Sequence, residues 1–363
     1  MTEPAMVSLL DFEARAKALL PADVWDFIDG GSGCEITMRA NRQALDSVSV
    51  YPRVLGGALS GTEVSLLGAS MAMPVAVAPM AYQRLVHPAG EIAMAEAACQ
   101  AGIPLMLSAL SSCAVEEVAR TGATIWFQLY WLRERPRLEQ LIERAQAAGS
   151  TALVVTLDVP IMGRRLRDVR NQFALPAGVT AANLADGPAS RAHLSSVGES
   201  AVAAHTSELF GSALTWSDLQ WLRSRSSLPL VVKGILDPRD AVRAVEVGAD
   251  AVVVSNHGGR QLDGAPASVI ALSAVVAEVG QQCPVLVDSG IRSGMDVLRA
   301  LALGASGVLV GRPLLWALAA GGAAGAAQAL SLLGAEFRES LILAGCADPA
   351  AAGQLRTDLS SHR

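Results

Sequence analysis

The sequence predicts an α/β fold, a (β/α)8 TIM barrel, from three observations. Short apolar runs rich in β-branched residues alternate with amphipathic stretches, the alternation repeats eight times, and glycine closes most of the amphipathic stretches. The expected strands are 74–80, 104–109, 124–130, 152–158, 229–234, 251–255, 284–288 and 307–310. Their near-continuous apolar character suits parallel strands covered on both faces. Helices are expected at 91–101, 114–121, 135–148, 215–225, 237–247, 265–279, 293–303 and 313–345. Left-handed caps at Gly102, Gly122, Gly149, Gly248, Gly280 and Gly304 would end helices before the next strand. A doubly wound sheet is the alternative, disfavoured by the regular spacing and the lack of a Gly-x-Gly-x-x-Gly loop after the first strand.

Residues 1–73 form an expected helical extension, with Ser8 as N-cap, a second helix from Pro21 to Ile28, a break at Asp29-Gly30-Gly31-Ser32-Gly33 and a third helix over 35–45. The barrel would occupy 74–346 of a single domain spanning 1–363. The one long irregular stretch, 176–214, follows the fourth strand and is rich in Ala, Ser and Gly. On the active face of a barrel it reads as a mobile lid, although its composition equally fits a disordered insertion.

Composition narrows the function classes. The 363 residues are 52% hydrophobic and 17% charged, with a formal net charge of -6, which argues against nucleic acid as a partner. No run of eighteen apolar residues without charge and no basic-then-apolar N-terminus is present, so a cytoplasmic protein with no membrane partner is expected. The cysteines, Cys34, Cys99, Cys113, Cys283 and Cys346, lack CxxC spacing and are expected to be buried free thiols, with no metal site. Lysine occurs only at Lys17 and Lys233. An ammonium on an apolar strand, as at Lys233, needs an anionic partner to offset its desolvation.

Unexpected polar residues collect at the strands' C-terminal ends, where a barrel carries its chemistry. The first strand runs into Pro79-Met80-Ala81, the second ends at Ser108, and the third ends Gln128-Leu129-Tyr130, with Gln128 and Tyr130 on one side. The fourth offers Thr156 and Asp158, followed by Arg165; the fifth offers Lys233. After the sixth comes Ser255-Asn256-His257-Gly258-Gly259-Arg260, a base and a fixed cation around two glycines. The seventh and eighth deliver Asp288-Ser289-Gly290-Ile291-Arg292 and Gly311-Arg312, the loops at which barrels commonly bind phosphate. Taken singly, each polar residue suits a satisfied core position or the surface. Together they describe a cationic pocket with one histidine, suited to a phosphate-bearing cofactor.

Ser-Asn-His-Gly-Gly-Arg-Gln-Leu-Asp (255–263), with Val-Lys-Gly (232–234), Asp-Ser-Gly-Ile-Arg (288–292), Gly-Arg-Pro (311–313), Phe-Gln-Leu-Tyr (127–130) and His-Pro-Ala-Gly-Glu (87–91), resembles the FMN-dependent α-hydroxy acid oxidase and dehydrogenase family. The resemblance spans about residues 8–348 and implies FMN held by Pro79, Met80, Ala81, Ser108, Gln128, Thr156, Lys233, Ser255, Asp288, Ser289, Gly290, Arg292, Gly311 and Arg312. It implies His257 as catalytic base, Asp158 as its orienting partner, Tyr130 on the substrate oxygen, and Arg165 with Arg260 on the substrate carboxylate. Lys233 would stabilise negative charge on the reduced ring.

Two departures from the family pattern bear on substrate. Phe27, in Val24-Trp25-Asp26-Phe27, stands where many members have tyrosine, and Leu110, in Ser108-Ala109-Leu110, where they have tryptophan. Both changes favour a bulkier, more apolar acid, so oxidation of an aryl (S)-2-hydroxy acid such as mandelate or 4-hydroxymandelate to the 2-oxo acid is expected. Ala81 resembles the oxidase members of the family more than those with glycine there, which implies O2 as acceptor, giving H2O2. A quinone-linked dehydrogenase, a small aliphatic acid such as lactate or glycolate, and a barrel binding a phosphorylated metabolite without redox chemistry are the alternatives. The relatives' habit and the Ala/Leu/Gly-rich segment 313–346 suggest a homotetramer.

Overall fold

In the computed structural model, which describes residues 5–184, 191–195, 197–211 and 214–359, eight parallel strands close into a barrel. Outside it lie three short strands before the barrel, β1 (Val48–Val50), β2 (Val64–Leu66) and β3 (Ala69–Met71). The barrel strands are β4 (Val75–Val77), β5 (Leu105–Ser108), β6 (Ile125–Leu129), β7 (Ala152–Thr156), β8 (Leu230–Ile235), β9 (Ala251–Val254), β10 (Val285–Val287) and β11 (Gly307–Val310). Neighbours in sequence are neighbours in space, and β11 closes on β4 through Val308↔Val75, Leu309↔Ala76 and Val310↔Val77. All eight strands coincide with the expected ones.

The period-two alternation of each strand determines the site. Val252 and Val254 face the helices, while Ala251 and Val253 face inward with Met106, Trp126, Val154, Val231, Leu286 and Leu309. Two residues further along each strand, the same inward direction carries Ser108, Gln128, Thr156, Lys233, Ser255, Asp288 and Gly311. An apolar interior therefore ends in a polar layer at one mouth. At the opposite end, Leu66 and Met71 of the β2–β3 hairpin join the interior cluster and stopper it.

The extension supplies α1 (Leu9–Leu19), α2 (Ala22–Asp29) and α3 (Ile36–Ser47). Ser8 caps α1, with Asp11 completing a capping box. Around the barrel run α4 (Gly90–Gln100), α5 (Val115–Ala119), α6 (Arg135–Ala147), α7 (Leu166–Arg170), α8 (Ala201–Leu209), α9 (Trp216–Arg225), α10 (Pro238–Glu246), α11 (Ser268–Val279), α12 (Gly294–Ala302), α13 (Arg312–Leu343) and α14 (Pro349–Ala352). Helix α13 is long and apolar enough to cross a membrane by length and composition. Its Leu314, Leu318, Leu330, Leu333, Phe337 and Leu341 are nonetheless buried, the arrangement of a core helix.

Several local expectations need correction. Gly280 is right-handed (φ -62), because Gly280 N–H still donates to Val276 O as a continuing helix would. Helix α11 starts at Ser268 and not 265, since Pro266 and its neighbours belong to the preceding loop. Helix α13 is interrupted at Gly321 and Gly322, the latter at φ +59. Cys34 and Cys99 are exposed, although all five thiols are free. The pairing of β1 with β12 (Thr357–Leu359) and the β2–β3 hairpin were not expected from pattern. Within 176–214 the chain forms α8, and Phe210 bridges to Leu132, so the stretch is not wholly irregular. Residues 185–190, 196 and 212–213 of the expected lid lie outside the described residues.

Candidate active site

The loop after β9 is built around three successive positive-φ residues, His257 (+60), Gly258 (+67) and Gly259 (+73). A non-glycine residue in that region is strained, and His257 is held there by Ser255 Oγ, which accepts its backbone N–H at 3.0 Å. The imidazole Nδ1 lies 3.0 Å from Asp158 Oδ1, and Gln261 Nε2 donates to Asp158 O at 2.7 Å, tying the two loops together. Gly234 leaves room for the carboxylate: a Cβ there would stand 2.7 Å from Asp158 Cγ. Burial pulls the His257 pKa below its ordinary value despite the opposing pull of Asp158. The ring is therefore neutral at pH 7, with Nδ1–H on Asp158 and the Nε2 lone pair free to take a proton.

Beside it sits a second pair. Lys233 Nζ is 2.9 Å from an oxygen of Asp288 and donates to Ser255 Oγ at 2.8 Å, and Ser289 Oγ donates to Asp288 Oδ1 at 2.7 Å. Burial alone would lower Lys233, but Asp288 and Asp158 hold it above its ordinary value; burial alone would raise Asp288, but Lys233 holds it below.

Arg165 and Arg260 lie over the ring of Phe27 at 5.7 and 5.6 Å, while Phe173 stacks on Phe27 at 4.4 Å. Asp168, fully buried beneath, is 3.8 Å from Arg165. Arg292 stacks on Trp316 at 4.7 Å, and Arg312 donates to the carbonyls of Gly258 and Gly30 at 2.9 and 3.0 Å. Burial and neighbouring cations push Arg260 down to about 9 and Arg292 and Arg312 down to about 10. All three stay charged near neutrality; the direction marks guanidinium groups buried beside one another and short of anions.

The chain matches the family described as FMN-dependent dehydrogenase over residues 16–358. It belongs to that family. It is 53% identical to a 4-hydroxymandelate oxidase of Amycolatopsis orientalis over 354 residues, covering 97% of this chain and 98% of the relative. It is 46% identical to an L-lactate oxidase of a Nostoc species, covering 94% of each chain. Among solved structures it superposes on a mandelate oxidase with (S)-4-hydroxymandelic acid at a TM-score of 0.95 and 53% identity, over 98% of this chain and 99% of that one.

FMN is the family's cofactor, and the site suits it. The arginines short of anions at Arg292 and Arg312 match a phosphate, and Gly311 keeps the adjoining floor open, where a Cβ would fill the space against Ala78 and Met80. Lys233, Asp288, Ser289, Gly290, Pro79, Met80 and Ala81 line the same cavity as His257, Arg260, Arg165, Tyr130, Phe27 and Leu110. Ser108, Gln128, Thr156 and Ser255 do not line it in this structure. Ser108 Oγ donates to Gln128 Oε1 and Gln128 Nε2 to Thr156 Oγ1, each at 3.0 Å, forming a polar floor beneath the mouth.

Sequence reasoning missed one wall. Met162, Val202, Thr206 and Phe210 line the cavity, and Phe210 stacks on Tyr130 at 4.6 Å. The available signal was Phe210, a large aromatic closing an Ala/Ser/Gly-rich stretch, and Met162 just before Gly163-Arg164-Arg165.

Proposed function

We propose that this protein oxidises an aryl (S)-2-hydroxy acid, mandelate or 4-hydroxymandelate, to the 2-oxo acid, with O2 reduced to H2O2. The observation that carries the reading is a neutral His257, backed by Asp158, in one cavity lined both by the guanidinium groups of Arg165 and Arg260 and by the apolar Leu110, Met162, Val202 and Phe210. Arg165 and Arg260 would hold the carboxylate, and the apolar wall the aryl ring. His257 Nε2 would take the proton as the alcohol is oxidised, and Asp158 would stabilise the imidazolium. Tyr130, whose phenol is pushed up to about 12 by burial and Asp158, stays protonated and can donate to the substrate oxygen. When bound, FMN supplies the two-electron acceptor whose electrons pass to O2. Lys233 would place a fixed positive charge beside it, and the loops carrying Gly290, Arg292, Gly311 and Arg312 would hold its phosphate.

Anaerobic bleaching of the visible flavin band by glycolate, lactate, mandelate and 4-hydroxymandelate tests the reading. Mandelate or 4-hydroxymandelate should bleach it fastest, and preference for glycolate would overturn the assignment of Phe27 and Leu110. The reading extends to one domain over 1–363 and a cytoplasmic homotetramer. Exposed apolar side chains at Val54, Leu55, Ile342 and Leu343 support subunit contacts, which light scattering of the purified protein would measure.

A further inference from the structure

Two adjacent side chains on α3 reach two different loops of the site. Asn41 is buried against the loop after β9: its Nδ2 donates to Asn256 Oδ1 at 3.0 Å, and its Oδ1 accepts from Asn256 Nδ2 at 2.7 Å and from Ser268 N at 3.2 Å. Asn256 Oδ1 also accepts from Gly259 N at 3.0 Å, and its Nδ2 donates to Pro266 O at 3.0 Å. The residue preceding His257 is thereby fixed by the helix and by its own turn. Arg42 projects about 100° further around the helix and reaches the loop after β10. Its Nη1 donates to Gly290 O and Asp296 Oδ2, each at 2.6 Å, and its Nη2 to Asp296 Oδ1 at 2.8 Å. Fully buried Asp296 accepts in turn from Arg292 N at 2.9 Å. Gly290 and Arg292 are therefore both gripped through one bidentate pair.

The helix backbone touches both loops as well. A Cβ on Gly259 would stand 2.5 Å from Met38 N, and one on Gly290 would stand 3.1 Å from Asn41 O. Neither loop can shift far without losing contact with α3.

We propose that α3 braces the base loop against the phosphate loop, with Asn41, Arg42 and Asp296 as positioning residues. The Arg42 half rests on the reading that Gly290 and Arg292 hold the FMN phosphate. A brace acting there predicts a loss specific to the phosphate, whereas a general structural role predicts loss of every flavin.

The test compares FMN with riboflavin, which lacks the phosphate, by quenching of flavin fluorescence on apoprotein. Arg42→Lys and Asp296→Asn should each weaken FMN about tenfold while changing riboflavin by less than about twofold. Arg292→Ala serves as the control: if it weakens neither flavin, the phosphate reading falls and the Arg42 half falls with it. If Arg292→Ala behaves as expected but Arg42→Lys and Asp296→Asn leave FMN unchanged, or weaken FMN and riboflavin equally, the brace alone is overturned. Asn41→Ala should keep the FMN-to-riboflavin ratio and lower the limiting rate of bleaching by mandelate more than it alters half-saturation. A change in half-saturation alone would overturn its role. If mandelate fails to bleach the unsubstituted protein, the substrate assignment fails, while the flavin comparison still decides the brace.

Discussion

Two carboxylate-paired groups share the barrel mouth, and they are set to opposite tasks. Lys233 and Asp288, 2.9 Å apart, each move toward the charged form, Lys233 upward and Asp288 downward. His257 and Asp158, 3.0 Å apart, are as close, yet His257 moves toward its neutral form. Distance does not separate the two pairs; what surrounds them does. Asp288 faces an ammonium that outweighs its burial and has Ser289 to share its charge, while His257 is lowered first by burial, which Asp158 does not offset, and further by Lys233 and Arg165, which oppose a second positive charge. One pair is a fixed field and the other a proton acceptor held ready.

Breaking the acceptor should have the largest effect. His257→Asn removes the proposed base, and general-base contributions run at about 10²–10⁴-fold. The limiting rate of anaerobic flavin bleaching should fall by that range with FMN still bound. Unchanged bleaching would remove His257 from the role of base and leave the proton to another group.

Breaking the fixed pair should appear in stability. Lys233→Met leaves the Asp288 carboxylate buried without its partner, a loss of about 3–5 kcal/mol in such sites. Chemical denaturation should show it, and Lys233→Met combined with Asp288→Leu should recover much of it. The pH signs follow from the shifts. Asp288 is lowered, so its contribution is present above its ordinary 3.8 and fades as pH falls through its folded value. Lys233 is raised, so its contribution is present below its ordinary 10.5 and fades as pH rises through its folded value.

Which parts of this comparison were legible beforehand follows from how far apart the partners lie. All eight strands were visible because the pattern of a parallel strand buried on both faces is local, and the same alternation brought Lys233 and Asp288 to one layer. His257 and Asp158, 99 residues apart, were paired only through family resemblance. Thr206 in α8 and Phe210 just after it stayed hidden because the helix lies in a stretch whose composition gives little periodicity, and the place of Phe210 at the mouth depends on its contact with Leu132. The grip of Arg42 on Asp296 spans 254 residues and leaves no local trace.

Sharpening the acceptor pair is a smaller intervention. Asp158 raises His257 against the pull of burial, so Asp158→Asn should lower the His257 pKa further. Bleaching should then remain active to lower pH than in the unsubstituted protein, whose rate falls as pH drops through a His257 value below the ordinary 6.5. The plateau should drop as well, because the imidazolium loses a charge-assisted hydrogen bond of about 1.5–3 kcal/mol, or about 10–150-fold. A pH profile that does not move would remove Asp158 from this role.

The smallest expected effect lies at Phe27, which touches neither pair but sits under both substrate-side arginines. Its ring is packed by Phe173 on one side, and Arg165 and Arg260 lie 5.7 and 5.6 Å from its centroid. Phe27→Tyr adds one donor to a site where Arg165 and Arg260 would already satisfy the carboxylate, so its gain should stay small, about 0.5–1.5 kcal/mol, or about two- to tenfold. The gain should fall mainly on lactate and glycolate, which are held largely by their carboxylate and hydroxyl, and less on mandelate, whose ring would be bound by Leu110, Met162 and Phe210. The ratio of half-saturation values for lactate and mandelate in anaerobic bleaching reads this directly. If Phe27→Tyr improves mandelate as much as lactate, position 27 acts on the common carboxylate alone, and discrimination must lie in the apolar wall.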